Sequence, residues 1–132
     1  MKYMMFIKLS ESYRSQPIPK ALDEAMGKFV AAEFQSGRLK ETAGLRPSSD
    51  GARIRLSGGK LRVTDGPFAE AKEVVGGYAI VEVTSKEEAL DVARQFMELH
   101  RVHWPELEAE SEIRELEAHA PASCRSPVAA LP

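Results

Sequence analysis

The chain has 132 residues, with 18 basic and 20 acidic side chains that leave a formal net charge of −2. One domain usually takes roughly 100 to 200 residues, so we expect a single domain and no second catalytic domain. Its 43% hydrophobic and 29% charged residues are typical of a globular fold, which excludes wholesale disorder. The balanced charge provides no global field for a polyanion, so direct nucleic-acid binding is not expected.

The sequence also predicts where the protein is located and where its folded domain ends. No apolar run reaches the roughly 18 residues that a membrane-spanning helix needs, and the first residues lack the features of a signal peptide. We therefore expect a cytoplasmic protein with no membrane partner. Residues 118–132 are rich in alanine and proline and are predicted to be a tail beyond a domain at 1–117. The single cysteine, Cys124, lies in this tail and is interpreted as an incidental thiol.

The first part of the chain predicts a strand, a helix and a second strand. Residues 3–9 are mostly apolar, as in a buried strand. A stripe of apolar residues then recurs every four positions, which predicts a helix with one buried face. This stripe consists of Leu22, Met26, Val30 and Phe34. Gly37 stands where a left-handed C-cap belongs, and a short strand is predicted at 38–45, followed by a turn at 47–51.

Residues 52–64 give the clearest local pattern in the chain. Apolar and polar residues alternate on both sides of Gly58-Gly59, which predicts a β-hairpin with a two-residue turn. One face of this hairpin is basic and carries Arg53, Arg55, Lys60 and Arg62. No aromatic residues alternate with these cations, so we interpret them as a solvated face and not as a nucleic-acid site.

The remaining residues predict a strand, a helix and a final strand. An apolar, β-branched run at 78–83 is typical of a central strand. Ser85 and Glu88 have the spacing of a capping box, so the second helix is predicted to begin there. Its predicted buried stripe is Ala89, Leu90, Ala93, Phe96 and Met97. A last strand, predicted at 112–117, is assigned to the edge of a sheet.

This order of elements predicts an α+β fold of the ferredoxin-like, split βαβ type with an inserted β-hairpin. Two helices would cover one face of an antiparallel sheet and leave the other face bare. A bare sheet either faces water or packs against a second copy of the chain. The second arrangement would give a symmetric homodimer, a dimeric α+β barrel, with a cavity between the two sheets.

The string from Asp65 to Glu73, followed by Gly76-Gly77-Tyr78, resembles the YCII-related family and, within it, the branch named for its Asp-Gly-Pro-Phe motif. This resemblance covers roughly residues 2–117 and implies a dimeric α+β barrel. It also implies a pocket with a histidine and an aspartate, but here the position of that histidine falls near Met26, whose thioether cannot act as a base. The association of the branch with extracytoplasmic-function sigma factors implies a sigma factor as a candidate partner.

Asp65 is the strongest chemical candidate in the sequence. A carboxylate at a strand end, beside a Gly-Pro turn, can be held rigidly at the mouth of a cavity to bind a ligand or act as an acid/base. An Asx-turn explains the same residue without any chemistry. Glu70 and Lys72 lie two residues apart, so they either orient a polar ligand or pair with each other in solvent.

His100 and His103 lie on one face near the end of the second predicted helix. Two histidines provide only half of a metal site, and a helix C-terminus favours histidine without any metal. We therefore expect no metal and no cofactor. Both histidines are candidate ligand-binding residues that line a pocket or an interface.

Three functions are compatible with these patterns. In the leading hypothesis, a homodimer binds a small polar molecule in the barrel cavity, near Asp65 and the end of the second helix. In the second, the protein is a non-catalytic interaction module whose exposed sheet or tail binds a regulator such as a sigma factor. In the third, it is a small enzyme with Asp65 as acid/base and His100 or His103 in place of the missing helix histidine.

Overall fold

The computed structural model describes residues 1–117, so the predicted tail and Cys124 lie outside the described residues. Within them, the elements follow the predicted order. The strands are β1 (Lys2–Leu9), β2 (Leu39–Gly44), β3 (Ala52–Ser57), β4 (Lys60–Asp65), β5 (Val74–Glu82) and β6 (Ala109–Glu115). The helices are α1 (Lys20–Gln35) and α2 (Lys86–His103), and short 3₁₀ helices occupy Glu11–Ser15 and Ser48–Asp50.

Four strands form one antiparallel sheet in the order β2-β5-β1-β6. The two central strands are aligned with Tyr3 opposite Val81 and Phe6 opposite Tyr78. β6 pairs with β1 at the edge of the sheet, as predicted, although it begins earlier in the chain, at Ala109. This strand order, with one helix after β1 and one after β5, confirms the α+β, ferredoxin-like class.

Both helices pack on the same face of this sheet, which contains the hydrophobic core. Alternate residues of each strand point to this face, so Tyr3 and Met5 of β1 and Val81 of β5 are buried. The other core residues are Leu39, Val83, Ala89, Val92 and Ala93, with Phe29 and Val30 of α1 packed against them. The opposite face, with Met4, Phe6, Tyr78 and Ile80, has no helix on it within residues 1–117.

The buried face of each helix differs from the prediction. Phe34 is 46% exposed and Leu90 is 43% exposed, whereas Glu33 and Val92 are buried. Helix geometry explains the first difference, because residue 33 lies about 20° around the axis from Leu22 and residue 34 lies about 120° away. The buried face of α2 includes Ala89, Val92, Ala93 and His100, and Leu90 is turned away from it.

The helix ends confirm the predicted capping residues. Ser85 Oγ accepts a hydrogen bond from the Glu88 amide, as an N-cap should. The Glu88 carboxylate accepts from the amide and hydroxyl of Thr84, which precedes the cap, and these bonds lower its pKa. Gly37 has a φ of 82°, the left-handed conformation that favours glycine after α1.

β3 and β4 form a separate two-stranded sheet, the hairpin. Gly58 and Gly59 have φ values of 57° and 75°, so the turn between them has the positive φ pair of a type I′ turn. The register confirms the predicted alternation, with Ile54 opposite Val63 and Leu56 opposite Leu61. Every residue of both strands is exposed, so the apolar face of the hairpin is uncovered as well as its basic face.

Candidate functional site

A cavity of about 440 Å³ lies between the two helices and the sheet face that they cover. This volume is within the range of small-molecule sites. The wall is mostly apolar, with side chains that include Leu22, Met26, Phe29, Val92, Phe96 and Trp104. Gly76 contributes space, because a Cβ atom at this position would lie 2.8 Å from Cδ2 of Leu9 and 3.5 Å from the Tyr13 hydroxyl oxygen.

His100 is a buried polar residue in this wall, with 9% of its surface exposed. Its Nδ1 lies 2.9 Å from the carbonyl oxygen of Phe96. Because a carbonyl can only accept, Nδ1 carries the proton and Nε2 of the neutral ring has a free lone pair. Burial lowers the pKa of His100, so the neutral form is favoured. The Phe96 ring packs edge-on against the imidazole, with 4.7 Å between the ring centroids.

Glu33 is a second polar residue of the wall and is 5% exposed. Arg38 donates from Nε to Oε2 at 2.9 Å and from Nη2 to Oε1 at 2.6 Å, so both carboxylate oxygens are engaged. Such a bidentate pair is strong and compensates the buried charge. Glu33 therefore fixes the last turn of α1 against the start of β2 and presents a neutralised group to the cavity.

Tyr13 and Arg14 bring the 3₁₀ helix Glu11–Ser15 to the same cavity. Arg14 Nη2 donates to the carbonyl oxygen of Leu45, at 2.6 Å, which ties this 3₁₀ helix to the end of β2. The guanidinium carbon of Arg14 lies 4.9 Å from the centroid of the Tyr13 ring. Tyr13 was not predicted from the sequence, because it lies outside any periodic element. Glu33 was not predicted either, although its position on the same side of α1 as Leu22 was a usable signal.

The residues predicted as ligand-binding lie in different parts of the structure. Asp65 is the last residue of β4, and Glu70 and Lys72 follow in the loop before β5, all exposed. His103 is the last residue of α2 and is half-buried. Among these five candidates, His100 lines the cavity and the other four do not. A ligand-binding role for Asp65, Glu70, Lys72 and His103 remains a prediction for a different site.

The pairing of Glu70 with Lys72, one of the two alternatives predicted for these residues, is not formed. Glu70 forms an ion pair with Arg53, whose guanidinium carbon lies 3.8 Å from the centroid of the Phe68 ring. The position of Arg53 explains this contact. It lies opposite Thr64 near the end of β4, close to the loop that carries Glu70. A backbone hydrogen bond at Glu70 and, after it, the pair with Arg53 lower the pKa of the Glu70 carboxyl, and both side chains of the pair are exposed. Arg53, on the basic face of the hairpin, thus contacts two residues of the loop that follows the hairpin, Phe68 and Glu70.

The Asp-Gly-Pro-Phe segment joins the hairpin to the rest of the domain. The Gly66 amide donates to the Gly51 carbonyl at 2.9 Å, and Gly66 lies directly against the carbonyl of Ser48. Ser48 Oγ accepts from the Phe68 amide at 3.0 Å and donates to the Glu11 carboxylate, which also accepts from the Ser48 amide. The bonds from Ser48 lower the pKa of Glu11. The motif therefore has a clear structural role, whatever Asp65 does.

Residues 1–117 contain no cluster of side chains that would hold a metal ion and no helix that could cross a membrane. No group of three or more histidine, cysteine, aspartate or glutamate residues there is arranged to hold a metal ion. No helix in the same range is long and apolar enough to span a bilayer.

Two helices on one face of a four-stranded antiparallel sheet, with a mostly apolar cavity between the layers, define a small two-layer α+β domain. A family model of the YCII-related domain matches residues 1–99, and the chain belongs to this family. It is also similar to an uncharacterized protein of Rhizobium meliloti (strain 1021), with 43% identity over 77 residues. The match covers 58% of this chain and 59% of that relative, less than two thirds of its length.

Proposed function

We propose that this protein binds a small, largely apolar molecule in the cavity between its helices and its sheet, with one polar group of the ligand at His100. The observation that carries this proposal is a buried imidazole, with its pKa lowered by burial, in the wall of an otherwise mostly apolar cavity of about 440 Å³. Binding sites are commonly apolar clefts in which a few polar groups fix the orientation of the ligand. The proposed ligand is thus less polar than the one predicted from the sequence, and its site differs from the predicted barrel cavity.

The chemistry of the wall defines the class of ligand. Nε2 of His100 has a lone pair, so it accepts a hydrogen bond from an O–H or N–H group of the ligand. Both oxygens of Glu33 are already engaged by Arg38, so this carboxylate is not offered to a cationic group. A cationic ligand would therefore lose its hydration in this cavity without a free carboxylate to compensate it. An uncharged molecule with an aromatic or aliphatic body and one hydrogen-bond donor fits these conditions.

A comparison of 1-naphthol with naphthalene tests this proposal, because the two probes differ by one hydroxyl group. We expect both to bind the wild-type protein, as measured by fluorescence titration and by a raised melting temperature. His100→Leu removes the hydrogen-bond acceptor and keeps the wall apolar. It should weaken 1-naphthol binding about three- to tenfold, the worth of one hydrogen bond, and leave naphthalene binding nearly unchanged.

Asp65→Asn is the matched control, since Asp65 lies outside the cavity. We expect this variant to bind 1-naphthol as the wild type does. If Asp65→Asn weakens binding and His100→Leu does not, the ligand lies at the hairpin and the site predicted from the sequence is favoured. If neither probe binds, the cavity is not a binding site for this class of molecule.

His100 should also make the stability of the protein depend on pH. Its folded pKa lies below the usual value of 6.5, so the unfolded chain takes up the proton first. Between these two values the unfolded state binds more protons, and the free energy of unfolding decreases as the pH falls below about 6.5. Urea unfolding between about pH 5 and pH 8 measures this slope. His100→Gln should flatten it, and an unchanged slope in this variant would contradict the assignment.

In this proposal the protein is a homodimer, as the sequence analysis predicts. The side of the sheet that carries Met4, Phe6, Tyr78 and Ile80 is not covered by any helix within the described residues, and these side chains are only partly buried. A second copy would remove such apolar surface from water. Light scattering across micromolar concentrations tests the homodimer, and a monomer at every concentration would refute it.

A further inference from the structure

We infer that the apolar face of the β3–β4 hairpin is an interface for the same face of a second copy of this chain. This inference rests on the proposed homodimer and assigns a surface to it. The observation is the exposure of four cross-strand neighbours on one side of the hairpin. Ile54 is 68% exposed, Leu56 and Leu61 are each 71% exposed, and Val63 is 66% exposed. These four are the most exposed large hydrophobic side chains of residues 1–117.

A surface packed against its apolar face is expected to stabilise the hairpin. It forms its own two-stranded sheet, and all residues of its strands are exposed. A two-stranded hairpin is at best marginally stable in water without a third strand or a packed surface on its hydrophobic face. The hairpin is nevertheless anchored firmly at its base, where Gly66 bonds to Gly51 and packs against Ser48. The anchor fixes where the apolar face points but leaves it uncovered.

The charge distribution favours a second copy as the occupant. The four apolar side chains form an uncharged patch, with Ala52 and Asp65 at its edge by strand alternation. The cations of the hairpin, Arg53, Arg55, Lys60 and Arg62, lie on the opposite face. Two copies of the patch can therefore meet without burying a cation, and both basic faces remain in water. A two-fold axis makes one patch complementary to itself and closes the assembly at two chains.

The area of the patch is sufficient for this interface. Four aliphatic side chains, each about two-thirds exposed, form a patch of about 500 Å², near the upper end of what monomers expose. Two such patches would bury about 1,000 Å² in total, which is the lower limit for a specific interface. Contacts between other parts of the two chains would add to this area. The hairpin patch is thus expected to carry much of the dimer's stability.

Two double variants that change cross-strand neighbours on opposite faces test this interface. Leu56→Thr/Leu61→Thr removes apolar area from the patch and keeps strand-compatible side chains. The control is Arg55→Thr/Arg62→Thr, which changes the adjacent cross-strand pair on the basic face. We expect the leucine variant to raise the dimer dissociation constant at least hundredfold, measured by sedimentation velocity, whereas the arginine control should leave it within about threefold.

The outcomes separate this surface from the homodimer and from the cavity. A leucine variant that dimerises like the wild type overturns the hairpin interface and leaves the homodimer intact. A wild-type monomer at all concentrations overturns both. Binding of 1-naphthol should be equal in wild type and leucine variant, since the patch lies outside the cavity. If circular dichroism shows that the leucine double variant is unfolded, hydrogen exchange of residues 52–65 in the wild-type protein replaces this test. We then expect protection of these amides to increase with protein concentration. Exchange that does not depend on concentration would refute the interface.

Discussion

Gly66→Ala is expected to lower the free energy of unfolding by about 3 kcal/mol or more, because the new methyl group has no room. An ideal Cβ atom on Gly66 would lie 1.6 Å from the carbonyl oxygen of Ser48 and 2.5 Å from its carbonyl carbon. These are backbone atoms, so no side-chain rotation relieves the clash. The Ser48 segment would have to move, which would disturb the hydrogen bond that the Ser48 amide donates to Glu11 and the one that Ser48 Oγ accepts from the Phe68 amide. Urea unfolding measures the loss.

Gly27→Ala provides a control with the opposite sign. Gly27 lies inside α1, and a Cβ atom there would have no neighbour within 4 Å. Alanine should therefore stabilise the protein by about 0.5 to 1 kcal/mol through its higher helix propensity. Equal stability of Gly66→Ala and wild type would show that the Ser48 segment adjusts freely, and the motif would lose its structural explanation.

The hairpin and the order of elements could be predicted from the sequence because both depend on local patterns. The alternation around Gly58-Gly59 specifies strand faces, and two adjacent glycines supply the positive φ values of the turn. The capping residues Ser85 and Gly37 act within one turn of their helices. From the order of the elements, the helix-covered antiparallel sheet follows by general packing rules.

The exposure of the hairpin's apolar face could not be predicted in the same way. Alternation indicates that one face is apolar, but it does not indicate what lies against that face. The position of the hairpin is set by contacts at its base, between Gly66 and the distant residues Ser48 and Gly51. The alternation of residues does not indicate how these contacts orient the hairpin on the domain. The exposure of its apolar face therefore becomes apparent only in the structure.

The cavity could not be predicted from the sequence either. Residues such as Leu22, Phe29 and Val92 are typical core residues in the sequence, and periodicity predicts that they are buried without predicting the space between them. His100 was singled out as a polar residue near a helix end, but its burial in a cavity wall depends on how α2 packs on the sheet. Asp65 was favoured because of its motif, and the structure connects that motif to the base of the hairpin.

Glu33 and Arg38 provide the second large expected effect. Arg38→Met should lower the free energy of unfolding by about 3 kcal/mol, because it leaves the buried Glu33 carboxylate without its cation. Glu33 is 5% exposed, and both its oxygens accept hydrogen bonds from Arg38. Arg46→Met is the matched control, since Arg46 pairs with Asp50 on the surface, where side chains are 84% and 47% exposed. This control should cost less than about 1 kcal/mol.

The double variant Glu33→Gln/Arg38→Met separates the lost pair from the uncompensated charge. Glutamine keeps the size of Glu33 and removes its charge, so the double variant should be more stable than Arg38→Met alone. Urea unfolding at neutral pH measures all three variants. Equal losses of stability in Arg38→Met and Arg46→Met would mean that water reaches the Glu33 carboxylate, and the wall of the cavity would then be open at this point.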